Sequence, residues 1–327
     1  MKILRIFAVG AIAMSVIFCL EGKSLAAEKK FPTKPIQVIV PFQPGSTDIL
    51  LRPFVEKIPE YLGQPLTFVY KPGAAGSLGA GFVASSKPDG YTLLGTSQSS
   101  ITVVPLTQKV SYTWRSFAPI ACVVDVPNLC VVKADARWKD LREFVAEAKK
   151  NPGQISFTSS GAYGSLHITG EGFASAAGIK LNHIPSQGSA PSVTAVLGGH
   201  VSMNIVTMAV VIPHLQAGTM RVLCVFAKKR LSSFPDVPTA EEMGYPVFTS
   251  GLFGLLAPKG TPKEIVETVH QAAKKVRENH GAAIRERYEK MGVQLEFIGP
   301  EEYVDLLRKE EEWHDKIIKD IKKAESK

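Results

Sequence analysis

Three short loops rich in serine, threonine and glycine contain the residues whose chemistry is easiest to interpret. They are Gly45-Ser46-Thr47, Ser159–Ser165 and Gly188-Ser189, and each leads into a segment that predicts a helix. A helix N-terminus offers unpaired N–H groups and a partial positive charge. Small residues let an anion approach the backbone, and hydroxyl groups add donors. One such loop alone is more often an ordinary N-cap, but three in one chain favour a cleft that holds a small anion.

The sequence lacks the patterns of common catalytic centres and metal sites. It has no G-x-S-x-G elbow, no H-E-x-x-H pair and no Walker A loop, and Gly76-x-x-Gly79-x-Gly81 reverses the dinucleotide spacing. The seven histidines form no short-range ligand pair. We therefore predict binding without catalysis, with no catalytic residue, no metal and no cofactor. Two alternatives stay open: an exported hydrolase with a dispersed Ser/His/Asp triad, and a ligand sensor for a signalling partner.

The N-terminus has the layout of a secretory signal peptide. Lys2 and Arg5 precede an almost wholly apolar run at 6–20, and Ser24-Leu25-Ala26 supplies small residues for cleavage after Ala26. The run is short for a membrane span, and Phe18 is too bulky to precede a lipidated cysteine. We therefore expect export to the periplasm, with an uncleaved anchor and lipidation as the less favoured alternatives.

Length and composition fit a globular protein with room for two domains. The chain has 327 residues, of which 45% are hydrophobic and 21% are charged, and a formal net charge of +8. In the C-terminal segment acidic and basic residues are interleaved, which indicates a solvated helix face rather than a nucleic-acid tail. We therefore expect no nucleic-acid partner.

Strand, small-residue loop and helix alternate along the chain, which is typical of α/β proteins with mainly parallel sheets. Pro53 falls inside the first predicted helix and should kink or split it. Two lobes are expected, with the chain crossing between them near 118–132 and 247–257. Strands are predicted at Ile36–Val40, Leu66–Tyr70, Tyr91–Leu94, Ile155–Thr158, Asn182–Ile184, Met220–Phe226 and Leu252–Ala257.

Three cysteines follow the predicted cleavage point. Cys122 and Cys130 flank a predicted turn at Asp125–Asn128, so they could face each other across a hairpin in an oxidising compartment. The alternative is that both, together with Cys224, are small apolar core residues. The sequence does not decide whether Cys122 and Cys130 form a disulfide.

Short motifs spread over the whole mature chain resemble the tripartite tricarboxylate transporter substrate-binding proteins, the Bug or TctC-like family. No single motif decides the match, but their order along the chain is specific. They include Pro32-x-x-Pro35-Ile36, Val40-Pro41-Phe42-x-Pro44-Gly45-Ser46-Thr47-Asp48, Lys71-Pro72-Gly73-Ala74-Ala75-Gly76, Lys87-Pro88-Asp89-Gly90-Tyr91-Thr92, Gly188-Ser189-Ala190-Pro191, Pro213-His214-Leu215-Gln216-Ala217-Gly218 and Ala257-Pro258-Lys259-Gly260-Thr261-Pro262.

The resemblance implies a monomeric, two-lobed periplasmic binding protein of the venus-flytrap form. Residues 27–127 and 249–327 would form lobe 1, and residues 128–248 lobe 2. The family's ligands are typically small organic acids, held between the lobes and delivered to a membrane permease with one large and one small subunit.

The residues expected to bind the ligand come from both lobes. Asp48 is expected to cap its own helix, and His167 either touches the ligand or packs under its loop. Lobe 1 would contribute Gly45, Ser46, Thr47, Asp48, Thr96, Ser97 and Gln98, and lobe 2 would contribute Ser160, Gly161, Ser165, His167, Gln187, Gly188, Ser189, Ala190, Val206 and Thr207.

Two departures from the family pattern bear on the ligand. Only Gly45 precedes Ser46, so the first loop is one residue short. Ser202 and Val206 stand where the family commonly has acidic residues. Loss of those acids removes a partner for an ammonium group, so we predict a ligand without a free amine.

Overall fold

A computed structural model describes residues 30–231 and 233–325. The predicted signal peptide lies outside the described residues. Residues 34–327 form one unit, which the following description concerns. No described helix is long and apolar enough to cross a membrane.

Strands and helices alternate through most of this unit, as predicted. The strands are β1 (Ile36–Val40), β2 (Leu66–Tyr70), β3 (Thr92–Ser97), β4 (Phe117–Lys133), β5 (Ser156–Thr158), β6 (Asn182–His183), β7 (Met203–Thr207), β8 (Met220–Val225), β9 (Ser250–Pro258) and β10 (Gln294–Ile298). The helices are α1 (Ser46–Val55), α2 (Pro59–Leu62), α3 (Ser77–Ala84), α4 (Ser99–Thr102), α5 (Val104–Thr107), α6 (Leu141–Lys150), α7 (Ser165–Ala177), α8 (Ser189–Leu197), α9 (Met208–Gln216), α10 (Lys263–Glu289) and α11 (Pro300–Glu325). Helix α1 ends two residues after Pro53, and α2 begins at Pro59, so the predicted split is confirmed.

The strands join in one mixed sheet with the order β2-β1-β3-β9-β4-β7-β5-β6, and β8 and β10 also pair with β4. Near the two ends of this order β1 runs parallel to β2 and β3, and β5 runs parallel to β6 and β7. Helical crossovers make these parallel pairs possible. The central pairs, which involve β4 and β9, are antiparallel. The α/β architecture is as predicted, but the expectation of mainly parallel sheets is wrong: five of the nine pairings between the described strands are antiparallel, because β4 and β9 cross the middle of the sheet.

Strand β4 is the element shared by both halves of the sheet. From Phe117 to Pro127 it pairs with β9, and from Asn128 onward it pairs with β7 and β8. Proline has no N–H to donate to a ladder, so it is tolerated where a strand changes partner. The change falls at the predicted boundary between the lobes.

The predicted hairpin around Asp125–Asn128 is wrong, because these residues continue β4 without a turn. Cys122 and Cys130 lie eight residues apart on one strand, roughly 26 Å at the usual rise per residue, so they cannot face each other. Both are free thiols buried in the core, as is Cys224. The core alternative for the cysteines is therefore confirmed.

Among the described residues, buried hydrophobic side chains cluster in each half of the sheet. One cluster includes Ile39, Leu94 and Tyr303, and another includes Phe144 and Phe173. A smaller cluster joins α7 and α11 through Ile168 and Ile318, together with Val103. Helix α11 therefore packs against both halves and helps to set where their facing loops meet.

Candidate functional site

The N-termini of α1, α7 and α8 converge on one cavity between the two halves of the sheet. The cavity has about 460 Å³ of space between atoms, including its opening. None of the described side chains that line it carries a charge. They belong to Phe42, Gln43, Ser46, Thr47, Ser97, Gln98, Ser99, Asn128, Ser160, Ser165, Leu166, Ser189, Thr207, Ser250 and Phe253, with Gly251 completing the wall.

The first loop turns its hydroxyl groups toward the cavity and its carboxylate away from it. Ser46 and Thr47, the first residues of α1, line the cavity, and the buried Ser46 Oγ has no hydrogen-bond partner in the structure. Asp48 Oδ1 accepts from the Gly45 N–H at 2.6 Å, while Oδ2 accepts from Arg52 at 3.1 Å. Asp48 thus caps its own helix, as expected from the repulsion between two carboxylates.

The second loop contacts the helical segments that follow β2 and β3. The Ser165 N–H donates to Ser99 Oγ at 2.8 Å, and Thr107 Oγ1 donates to the Tyr163 carbonyl at 2.8 Å. Ser160 and Ser165 line the cavity. Gly161 packs instead against Ala75, where a Cβ placed on Gly161 would lie 2.9 Å from the Ala75 Cα. This loop therefore supplies both a wall of the cavity and a contact across the cleft.

The third loop behaves similarly. Ser189 lines the cavity, whereas the Gln187 carbonyl accepts from the Gln43 N–H at 3.4 Å. A Cβ on Gly188 would lie 3.3 Å from the Gln43 Cβ, and one on Gly45 would lie 3.3 Å from the Ala190 nitrogen. The structure thus brings four predicted residues together beside the cavity, where the first and third loops meet. They are Gly45, Gln187, Gly188 and Ala190.

The segment after β3 contributes Ser97 and Gln98. Both polar ends of the Gln98 amide are occupied: Oε1 accepts from the Leu252 N–H at 2.9 Å, and Nε2 donates to the Ser250 carbonyl at 2.7 Å and to Glu310 Oε2 at 3.2 Å. Gln98 therefore fixes the wall. Thr96 does not line the cavity but bonds to Ser100 at 2.8 Å.

Strand β7 places only one of its two predicted residues at the cavity. Thr207 lines the cavity, while Val206 is buried in the sheet opposite Leu129 of β4.

His167 packs under its loop rather than lining the cavity. Its Nδ1 accepts from the Tyr163 N–H at 3.0 Å, and its ring stacks on His183 with centroids 3.8 Å apart. Burial, helped by the neighbouring His167, lowers the pKa of His183 to about 3, so that ring is neutral. Of the two roles expected for His167, the structure favours the packing role.

Several lining residues were missed by the sequence reasoning, chiefly Asn128 and Ser250 on the two crossing strands and Ser99 beside Gln98. The crossing segments were predicted, and a polar residue inside such an apolar run is the signal that could have identified Asn128. The others missed are Phe42, Gln43, Leu166, Gly251 and Phe253.

Two serine–histidine pairs bear on the hydrolase alternative. Ser159 Oγ lies 2.9 Å from His183 Nε2, but Ser159 is fully buried. Ser165 Oγ lies 3.2 Å from His314 Nε2, yet burial lowers the pKa of His314 to about 4, which makes it a poor general base at neutral pH. Within the described part of the chain, no group of His, Cys, Asp and Glu side chains is placed to hold a metal ion.

Comparison with known proteins identifies the family to which the chain belongs. The profile described as "Tripartite tricarboxylate transporter family receptor", TctC, matches residues 50–323. The chain belongs to this receptor family. Protein BugT of Bordetella pertussis is 36% identical over 241 residues, which cover 72% of this chain and 74% of BugT.

Solved structures agree with the TctC assignment. The periplasmic binding protein BugD is 28% identical with a TM-score of 0.83, covering 89% of this chain and 98% of BugD. MatC from Rhodopseudomonas palustris, solved with bound malate, is 26% identical with a TM-score of 0.83, covering 88% of this chain and all of that one (100%). This TctC receptor therefore has the periplasmic-binding-protein fold and binds a substrate.

Proposed function

We propose that this receptor captures a small organic acid between two lobes and delivers it to a permease of the tripartite tricarboxylate transporter type. The observation that carries the proposal is the convergence of three helix N-termini and their hydroxyl groups on one uncharged cavity. N–H groups at helix N-termini and serine hydroxyls are donors suited to a carboxylate. The malate bound to MatC, a relative of the same fold, supports this ligand class.

The lobes we propose are residues 27–127 with 249–327, and residues 128–248. The change of partner along β4 at Pro127 and Asn128 supports the first boundary. The contacts between the loops of the two halves belong to a closed arrangement. A ligand that touches both lobes stabilises that arrangement through its higher affinity for it.

We further propose export, with cleavage near Ala26, and action as a monomer without catalysis, cofactor or nucleic acid. The ligand is proposed to lack a free amine. The Ser202 N–H donates to Ser156 Oγ at 3.1 Å, Val206 is buried in the sheet, and no described carboxylate lines the cavity. An ammonium group would therefore have no opposite charge beside it, and burying an unpaired charge is costly.

A thermal-shift screen of organic acids tests the ligand class, because a ligand that binds only the folded state raises its apparent stability. Calorimetry should then show that the Thr47→Val variant binds these acids about tenfold more weakly than the wild type, because a hydrogen bond to a charged group is lost. Thr268→Val is the matched control, because Thr268 lies half-buried on α10, does not line the cavity and donates to the Glu264 carbonyl of its own helix. Micromolar binding of aspartate or glutamate, with no response to simple carboxylates, would contradict the proposal.

Two further observations separate the alternatives. Turnover of model esters would favour the hydrolase. A sensor kinase encoded beside this gene would favour signalling, whereas a permease pair would favour transport.

A further inference from the structure

One wall of the cavity presents hydrogen-bond acceptors rather than donors. It consists of Ser165 at the start of α7 and Asn128 on β4, which are 3% and 1% exposed. The remaining hydroxyls of the cavity can either donate or accept, so the directions of the bonds at these two residues decide what this wall recognises.

The direction at Ser165 follows from a chain that ends on a carbonyl group. His314 Nδ1 lies 2.7 Å from the backbone carbonyl of Glu310, which can only accept. The buried ring is neutral and has a single proton, so that proton is on Nδ1 and Nε2 is an acceptor. The Ser165 hydroxyl, 3.2 Å from Nε2, therefore donates to His314 and presents only lone pairs to the cavity.

Asn128 adds a second acceptor. Its Nδ2 donates to Thr249 Oγ1 at 2.9 Å, while its Oδ1 is buried with no hydrogen-bond partner. Thr169 links the two residues, because its Oγ1 bonds to Thr249 Oγ1 at 3.0 Å and to the Ser165 carbonyl at 2.8 Å. Asn128 and Ser165 therefore belong to one connected wall, and an unsatisfied acceptor in such a place favours a ligand that brings a donor.

We infer that this wall binds a hydroxyl group of the ligand, so that Asn128 and Ser165 select a hydroxy acid over the same acid without its hydroxyl. This inference rests on the proposed function, with the carboxylate held by the donors at the N-termini of α1 and α8 rather than by Ser165, whose N–H donates to Ser99. A carboxylate against the wall would face lone pairs on both residues. An ammonium group would donate but would lack a counter-charge among the lining side chains.

The first experiment measures the wild-type protein by calorimetry with four matched pairs: malate and succinate, lactate and propionate, citrate and tricarballylate, and mandelate and phenylacetate. In every pair that binds, the hydroxy acid should bind about tenfold more tightly. If acids bind without this preference, the inference fails while the proposed function stands. If no acid of any pair binds, both fail.

The second experiment assigns the preference to the wall. Asn128→Leu removes the acceptor at similar volume, and Ser165→Ala removes the other. Each should reduce the ratio between paired acids below about threefold, while the acid without the hydroxyl keeps its affinity. Ser175→Ala, at an exposed position of the same helix, is the control. If both variants fold and keep the wild-type ratio of affinities between the hydroxy acid and its paired acid, the assignment to this wall is overturned. The ratio measured on the wild-type protein tests the inference even if one variant misfolds.

Discussion

A single methyl group at Gly161 should hinder closure of the two proposed lobes. A Cβ at this position would lie 2.9 Å from the Cα and 3.0 Å from the Cβ of Ala75, which belongs to the other proposed lobe. The backbone of Gly161 is not in the left-handed region, so alanine can adopt its conformation. The clash therefore exists only when the two loops meet.

The magnitude follows from the overlap. Non-bonded carbon atoms are optimally separated by about 3.5–4.0 Å, so one of the two loops must move by roughly 0.5–1 Å to admit the new Cβ. The Ala75 backbone has a φ of 54°, a conformation held by its surroundings, which limits how far it can yield. Overpacking of this kind costs about 1–3 kcal/mol, and this penalty falls on the closed state. Ligand affinity should therefore decrease by about 5–150-fold.

Calorimetry with the strongest binder of the acid screen measures this effect, and thermal unfolding without ligand measures stability. Gly161→Ala should weaken binding and leave the ligand-free stability nearly unchanged, because opening relieves the overlap. Gly172→Ala is the matched control: its Cβ would lie 3.6 Å from Ile317 on α11, an ordinary contact away from the cleft. The reasoning is refuted if Gly161→Ala binds like the wild type, or if it loses ligand-free stability by as much as it loses binding energy.

Three other predictions concern the fold. Burial raises the pKa of Glu310 to about 7. Stability should therefore fall as the pH rises from about 4.5 to 7, because in this range the carboxyl ionises in the unfolded chain but stays protonated in the folded one. Glu310→Gln should remove up to about 3 kcal/mol of this decrease in the free energy of unfolding, measured by urea unfolding at several pH values. A variant with the same decrease as the wild type would contradict the prediction. Asp48→Ala should cost about 1 kcal/mol through loss of the cap, and no loss in the same assay would count against the cap. The three buried thiols, Cys122, Cys130 and Cys224, should react with a thiol reagent only after unfolding. Labelling of the folded protein, or a mass lower by the two hydrogen atoms lost in a disulfide, would contradict this.

The loops and helix starts could be predicted because their signals are local. Gly45-Ser46-Thr47 follows a β-branched run, and its residues favour an N-cap whatever the rest of the chain does. The same holds for the split at Pro53, since a proline inside a helix removes a hydrogen bond wherever the helix lies.

The path of β4 could not be predicted in the same way. Pro127 and Asn128 are turn formers by type, so the sequence favours a hairpin. In the structure β9, β7 and β8 pair with β4 from distant parts of the chain, and their ladders keep the strand extended. Pairing over such separations outweighs the local preference, and nothing in the residues around Pro127 indicates it.

The same limit applies to the site. Ser165 was predicted because it starts a helix, but the residue that orients its hydroxyl, His314, lies 149 positions further along the chain. Gln98 was predicted as a ligand contact, yet its amide is hydrogen-bonded within the protein to Ser250, Leu252 and Glu310. Sequence reasoning thus found residues near the cavity, while their hydrogen-bond directions depend on partners that only the fold supplies.

Under the proposed function, the lack of charged side chains among the described residues that line the cavity makes ligand binding depend on closure. An arginine or lysine on one lobe would attract an anion in the open form as well as in the closed form, so the ligand would favour closure less. Here the proposed donors belong to α1 on one side and to α8 on the other, and each N-terminus carries only a partial charge. The full set surrounds a ligand only when the loops meet, as at Ser99 and Ser165. Most of the binding energy is then available to the closed state alone, and that difference is what allows a ligand to shift the equilibrium between the two forms.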